Sequence, residues 1–224
     1  MNAAPVSRRA RPAKAPLSRE VVLETGLRVL DAEGMAGLTM RRVAKELDTG
    51  AASLYVYVAN RDDLMTGMFD HVLSTVPTPT EGDWRERLTL LVEDTVDALA
   101  RHEGLALVGF GRIPATEHAL VLVEQLLALL RAGGLDPATA AWAVDLIYLH
   151  LTAAAAEQSA HHTGAGEARY IAEIGRRFDA LPAERYPTLV ALRAQLLGGD
   201  GDARARWALR ALLNGVVATP VGAR

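Results

Sequence analysis

Apolar residues recur along this chain at helical spacing and almost never alternate as they would in a strand. Leu23, Leu27 and Leu30 fall at i, i+4 and i+7 and predict an amphipathic helix over 17–33, with Ser18 as its N-cap and Gly34 and Gly37 as its stop. Thr39 is placed to cap a second helix with Val43, Ala44 and Leu47 inward. Asp48-Thr49-Gly50 breaks the pattern, and a third short helix is expected over 51–58. Asn60 is the expected cap of a fourth, with Asp62 and Asp63 in its first turn, where the helix dipole favours acids. Its apolar positions are Leu64, Met65, Met68, Phe69 and Val72.

The stretch VPTPTEGD, 76–83, reads as a linker. Beyond it, helices are expected over 83–102, 115–132, 136–159, 167–178 and 203–217, with a short apolar segment at 104–112. Loops are expected at 161–167 and over 181–202. The predicted fold class is all-α. A basic disordered tail (1–16) precedes a helix-turn-helix unit with its connecting helix (17–76) and a larger helical unit (83–217).

Half of the 224 residues are hydrophobic and 23% are charged, as in ordinary globular proteins. The net charge of −3 argues against a globally basic nucleic-acid coat. Charge is nevertheless uneven: residues 1–76 hold 10 basic and 9 acidic side chains, residues 77–224 hold 14 and 18. That asymmetry weakly favours an N-terminal contact with something anionic. No cysteine is present, so disulfides, thiolate metal sites and cysteine nucleophiles are excluded. The chain starts without the apolar run of a secretory signal. No apolar stretch reads as the roughly 20 residues of a membrane span, and the expected location is the cytoplasm.

Two short helices joined by a tight polar turn form the geometry in which one helix enters the major groove and the other crosses the backbone. The second of them begins with Ala51, Ala52 and Ser53, small enough for close approach to base edges. Tyr55 and Tyr57 are candidates for phosphate or base contact, and Arg41, Arg42 and Arg61 for phosphates. The stretches LDAEGMAGLTMRRVAKEL and SLYVYVANRDDLM then make a specific match: residues 18–73 resemble the DNA-binding domain of the tetracycline-repressor (TetR) family. The resemblance implies that Thr39, Arg41, Ser53, Tyr55, Tyr57 and Arg61 face DNA. Two departures stand out. Asp48-Thr49 occupies a corner where the family usually has glycine, so aspartate is expected in a left-handed conformation. Val56 stands where a large aromatic residue is common.

Residues 83–217 are similar to the family's ligand-binding and dimerisation half in pattern only. The resemblance implies a homodimer through two C-terminal helices, for which 136–159, with Ala153–Ala156, and 203–217 are the candidates. It also implies a ligand that shifts the fourth helix and changes the spacing of the two reading heads. A pocket is expected among 83–159, with Phe110, Leu126, Trp142 and Leu146 as apolar walls. His102, His118, Tyr148 and His150 would orient the ligand, and Asp145 would add charge. The effector is expected to be apolar or amphipathic.

No catalytic constellation emerges: no serine sits in G-x-S-x-G, the glycines form no phosphate loop, and His161-His162 lacks a third ligand at metal spacing. No cofactor or metal is expected. The functional expectation is a ligand-responsive repressor that binds a palindromic double-stranded operator as a homodimer. The alternatives are an activator, a regulator without ligand response, and an all-α small-molecule-binding protein whose helix-turn-helix is a packing module.

Overall fold

The computed structural model describes residues 16–111, 113–161, 164–198 and 201–222, and among these every regular element is helical. The expected tail lies outside the described residues apart from Pro16, as does His162. Among the described residues eleven α-helices follow one another: α1 (Arg19–Gly37), α2 (Met40–Glu46), α3 (Ala51–Leu54), α4 (Arg61–Ser74), α5 (Trp84–Ala100), α6 (Glu117–Ala132), α7 (Pro137–His161), α8 (Gly164–Asp179), α9 (Pro187–Ala191), α10 (Arg193–Leu197) and α11 (Gly201–Ala218). A 3₁₀ turn at Leu105–Val108 lies between α5 and α6.

Local side-chain chemistry starts the first helices where the sequence predicts. Ser18 Oγ accepts from the Val21 amide at 3.2 Å, Thr39 Oγ1 from Arg42 at 3.1 Å and Asn60 Oδ1 from Asp63 at 2.9 Å. Each satisfies a donor that the helix leaves unpaired. Asp83 does the same for α5, accepting from Arg85 and Glu86, while Glu86 Oε2 returns a bond to the Asp83 amide at 2.9 Å. Gly34 leaves helical geometry at φ 68° and kinks the end of α1.

The core is continuous from the first helices into the rest of the chain. Val22, Leu30, Leu38, Val43, Leu54, Leu64 and Met68 bury the three-helix unit. Leu88, Leu91, Leu99, Leu126, Leu130, Ile147 and Leu151 bury the larger one. Helix α4 belongs to both, packing on α1 on one side and on α5, α6 and the 3₁₀ turn on the other. Two glycines allow the α1–α4 crossing. A Cβ on Gly26 would meet Met68 Sδ at 2.7 Å, and one on Gly67 would meet Leu23 Cδ2 at 2.7 Å.

Three expectations change. By length and apolar content α7 is long enough to cross a membrane, unlike the expectation for every stretch of this chain. Half of its apolar span is buried against the rest of the protein, chiefly α5, α6, the 3₁₀ turn and α11, so its composition is that of a core helix. The loop at 161–167 is shorter than expected, because α8 already begins at Gly164. The segment 181–202 contains α9 and α10, and these pack with α8, where Arg193 pairs with Asp179 at 2.9 Å.

Replacing Gly26 by valine forces branched carbons into the space of Met68 and Leu64. The expected loss of stability is about 1–3 kcal/mol, the usual cost of overpacking, read as a lowered thermal midpoint.

Candidate nucleic-acid interface and internal cleft

The turn between α2 and α3 is held by the Thr49 amide donating to Ala44 O at 2.9 Å and the Asp48 amide donating to Lys45 O at 3.0 Å. Asp48 has φ 50°, the left-handed corner that the sequence predicts, and among the described residues no other non-glycine has positive φ. Leu54 and Val58 are fully buried and anchor α3 to the core. What α3 leaves outward is Ala52, Ser53, Tyr55 and Val56, with Ala51 half-buried at its start. Arg41 and Lys45, four apart on α2, border a shallow depression with Ala44, Asp48, Thr49 and Ala51. Lys45 was missed by the sequence reading, although its i+4 relation to Arg41 is a usable signal.

Not every expected contact is free to reach outward. Tyr57 donates its hydroxyl to Leu17 O at 2.7 Å, and its own carbonyl accepts from Arg19 at 2.5 Å, so this tyrosine ties α3 back to the start of α1. Arg61 donates to Leu38 O at 2.8 Å and Met35 O at 2.7 Å and so clamps the α1–α2 connection to the start of α4. Arg42 pairs with Glu46 at 2.8 Å and Glu33 at 2.6 Å, and those hydrogen bonds, Glu46 first, raise its affinity for its proton further. Arg42, Tyr57 and Arg61, expected from the sequence to face DNA, are thus each bonded within the three-helix unit and its connections. Thr39 caps α2 yet stays exposed. The outward set is Thr39, Arg41, Lys45, Ala52, Ser53, Tyr55 and Val56: two cations, hydroxyls, and small or apolar groups.

An internal cleft of about 170 Å³ opens between α4, the linker, α5 and α6. Its lining joins Leu73, Val76, Leu91, Val121 and Leu122 with Ser74, Thr78, Thr95, His118 and Gln125. Gln125 donates to Thr78 Oγ1 at 2.7 Å, which ties α6 to the linker. Of the nine residues expected to line a pocket, His118 borders this cleft and the other eight lie elsewhere. Leu126 is sealed in the core. Trp142, Asp145 and Leu146 lie on the outer face of α7, with Trp142 66% and Leu146 51% exposed. Phe110 is half-exposed beyond the 3₁₀ turn, and His102 pairs with Asp31 of α1 at 2.7 Å. Tyr148 is buried, and burial together with the nearby Asp70 charge pushes its hydroxyl up to about 12. His150 is half-buried, and burial pushes its ring down.

Asp70, on α4, accepts from the backbone amides of His118 and Ala119 at 2.9 and 3.2 Å, and its other oxygen lies 3.0 Å from His118 Nδ1. Burial opposes its charge. The hydrogen bonds from Thr116, His118 and the two amides outweigh that and hold the carboxyl below its usual range. The contact therefore keeps its charge throughout the neutral range.

Comparison with known proteins agrees with this architecture. Residues 22–68 match the model of bacterial regulatory proteins of the tetR family, and residues 76–219 match the tetracyclin repressor-like C-terminal domain. The chain is similar to the HTH-type transcriptional repressor DrrR1 of Streptomyces coeruleorubidus, 32% identical over 204 residues, covering 86% of this chain and 76% of that one. It is also similar to ActR, a TetR family protein of Streptomyces coelicolor. The structure of ActR with actinorhodin superposes with TM-score 0.82 at 35% identity over 94% of this chain and 100% of that one. ActR with (S)-DNPA gives 0.79 at 35% identity, over 91% and 98%.

The two neighbouring arginines of α2 should separate cleanly by experiment. Arg41→Ala is expected to weaken duplex DNA binding and lower the slope of log affinity against log salt by about one, as for one lost phosphate contact. Arg42→Ala is expected to leave the slope unchanged and to lower the melting temperature slightly. Fluorescence anisotropy across a salt series reads both.

Proposed function

This chain belongs to the TetR family of bacterial regulatory proteins, and on that premise we propose how it reads DNA and what releases it. It is a ligand-responsive transcriptional regulator. Members of the family bind DNA operators and small-molecule effectors and act as dimers. Our reading is a cytoplasmic repressor without catalytic activity. Residues 17–76 form its reader and residues 83–217 its sensor.

In the reading proposed, α3 enters the major groove. Ala52, Ser53, Tyr55 and Val56 face base edges, while Thr39, Arg41 and Lys45 hold the backbone. Val56, 80% exposed, supplies an apolar side chain of a size suited to a thymine methyl. One such unit covers half a site. Two copies would place their readers one helical turn apart, roughly 34–36 Å, on a palindrome.

The second copy is expected on the outer faces of α7 and α11. Trp142, Leu146 and Leu149 fall at i, i+4 and i+7 on α7 and are exposed, and Trp207 and Val217 are exposed on α11, which packs beside α7. Large exposed apolar side chains on two neighbouring helices suit an interaction face. The same exposure fits the absence of Trp142 and Leu146 from the lining of the cleft.

The observation that carries the regulatory reading is that α4 is shared. It begins at the reader, where Arg61 clamps the α1–α2 connection, and its last turn lines the cleft with Leu73 and Ser74. An amphipathic, uncharged effector suits the cleft's lining, half aliphatic and half hydroxyl, amide and imidazole. That ActR, to which this chain is similar, has been solved with actinorhodin and with (S)-DNPA supports a small-molecule effector.

The test is selection from a random duplex library with the full chain, followed by anisotropy on the recovered sequence. A palindrome bound in the nanomolar to micromolar range is expected, released by at least one amphipathic compound from a panel that includes actinorhodin. Leu146→Asp should convert the dimer to monomer in sedimentation and lower operator affinity by at least a hundredfold. A dimer that persists with full affinity would remove α7 from the interface.

A further inference from the structure

Helix α6 does not cap itself. Its N-cap residue is Thr116, whose side chain accepts nothing from the amides that follow. The amides of His118 and Ala119 are the second and third of the helix, the donors that an N-cap side chain normally satisfies. Here both point at Asp70 Oδ1, on a different helix and 48 and 49 residues earlier in the chain. The His118 ring closes on the other carboxylate oxygen.

The two helices joined in this way both line the cleft. The end of α4 and the residues after it give Leu73, Ser74 and Val76, and α6 gives His118, Val121, Leu122 and Gln125. Asp70 stands one turn before Ser74 and is not among the lining residues. The cleft holds about 170 Å³, whereas drug-sized ligands occupy pockets of roughly 300–1,000 Å³. An effector of that size enters only if the walls part. Parting α4 from α6 withdraws the carboxylate from the amides it caps.

We propose that Asp70 is a capping latch: it holds α4 on the N-terminus of α6 in the ligand-free protein and so sets the balance between the operator-binding and released conformations. This rests on the reading of the chain as a repressor released by an effector in the cleft. Asp70 is a positioning residue that acts through α4. The contact exists only with the cleft closed, so its loss favours the open conformation in proportion to what the cap contributes there.

The experiment uses the full chain and the operator recovered by selection, with no effector present. Asp70→Ala is expected to raise the operator Kd at least tenfold. The salt slope should stay that of the wild type, because no phosphate contact is lost. Hydrogen exchange at the His118 and Ala119 amides should accelerate. Asp70→Asn keeps an acceptor oxygen and should lose less affinity. Thr116→Asn is the variant that does not depend on weakening the fold. It replaces the Thr116 hydroxyl beside Asp70 and gives α6 a local cap that competes for the same two amides, and should weaken operator binding while leaving the melting temperature close to that of the wild type.

Operator affinity unchanged or tighter in both Asp70→Ala and Thr116→Asn overturns the latch, as does a reduced salt slope in Asp70→Ala, which would place the effect at the DNA. If Asp70→Ala fails to fold, Thr116→Asn decides. A wild-type chain that selects no operator strikes the functional reading instead. In that case unaltered exchange at His118 and Ala119 in Asp70→Ala would also remove the cap.

Discussion

One helix has to satisfy two cores. Along α4, Leu64, Gly67 and Met68 meet α1, where the absence of side chains at Gly26 and Gly67 permits the close crossing. Phe69, Val72 and Leu73 bury further along the same helix, which also packs on α5, α6 and the 3₁₀ turn. Because interiors are close-packed, neither contact stretches continuously. A shift of α4 against α6 must carry α1 with it or break the tighter contact. The glycine crossing, with the Arg61 clamp at the other end of the first turn, favours the former. In the mechanism proposed, displacement at the cleft is thereby converted into displacement of the whole reader.

The reader is stiffened by polar groups that sequence reasoning assigns to DNA. Arg61 satisfies two carbonyls where α1 gives way to α2, and Tyr57 satisfies the carbonyl of Leu17 ahead of α1. Such carbonyls otherwise need water or strain to be paired. Their saturation fixes the angle at which α3 leaves the core, and so the direction of Ser53 and Tyr55. A three-helix unit of this size has little apolar area to spare. Side-chain to backbone bonds that span 23 to 40 residues are an economical way to hold it.

How much of this could be read from the chain follows from the range of each interaction. Ser18, Thr39 and Asn60 are legible because an N-cap acts on amides three residues away. Asp48 is legible because a left-handed corner restricts residue type at one position. The cleft is not legible. It joins Leu73 and Thr78 to Thr95 and Gln125, and no local pattern reports which of many half-polar helix faces will meet. The outward position of Trp142 and Leu146 is illegible for a related reason: α7 is apolar nearly all round, so hydropathy does not separate the face against α5 from the exposed one. The Asp70 cap was invisible because Thr116 looks like an adequate cap in sequence, and only the fold shows that it is unused.

The size of that borrowed cap suits its position. An N-cap side chain contributes about 0.5–2 kcal/mol, and couplings between effector and operator sites commonly amount to about 1–3 kcal/mol. A latch much stronger than this would need more differential binding energy than a small effector gains by wetting a few leucines and hydroxyls. A much weaker one would leave the cleft partly open and the reader poorly placed without effector. The apolar walls add to the closed state, but their burial is non-directional and tolerates sliding. The carboxylate and the two amides do not, because the bond weakens steeply once its angle is lost. Direction, more than strength, is what a charged cap adds to an apolar cleft, and it turns the gradual separation of α4 from α6 into a choice between two positions.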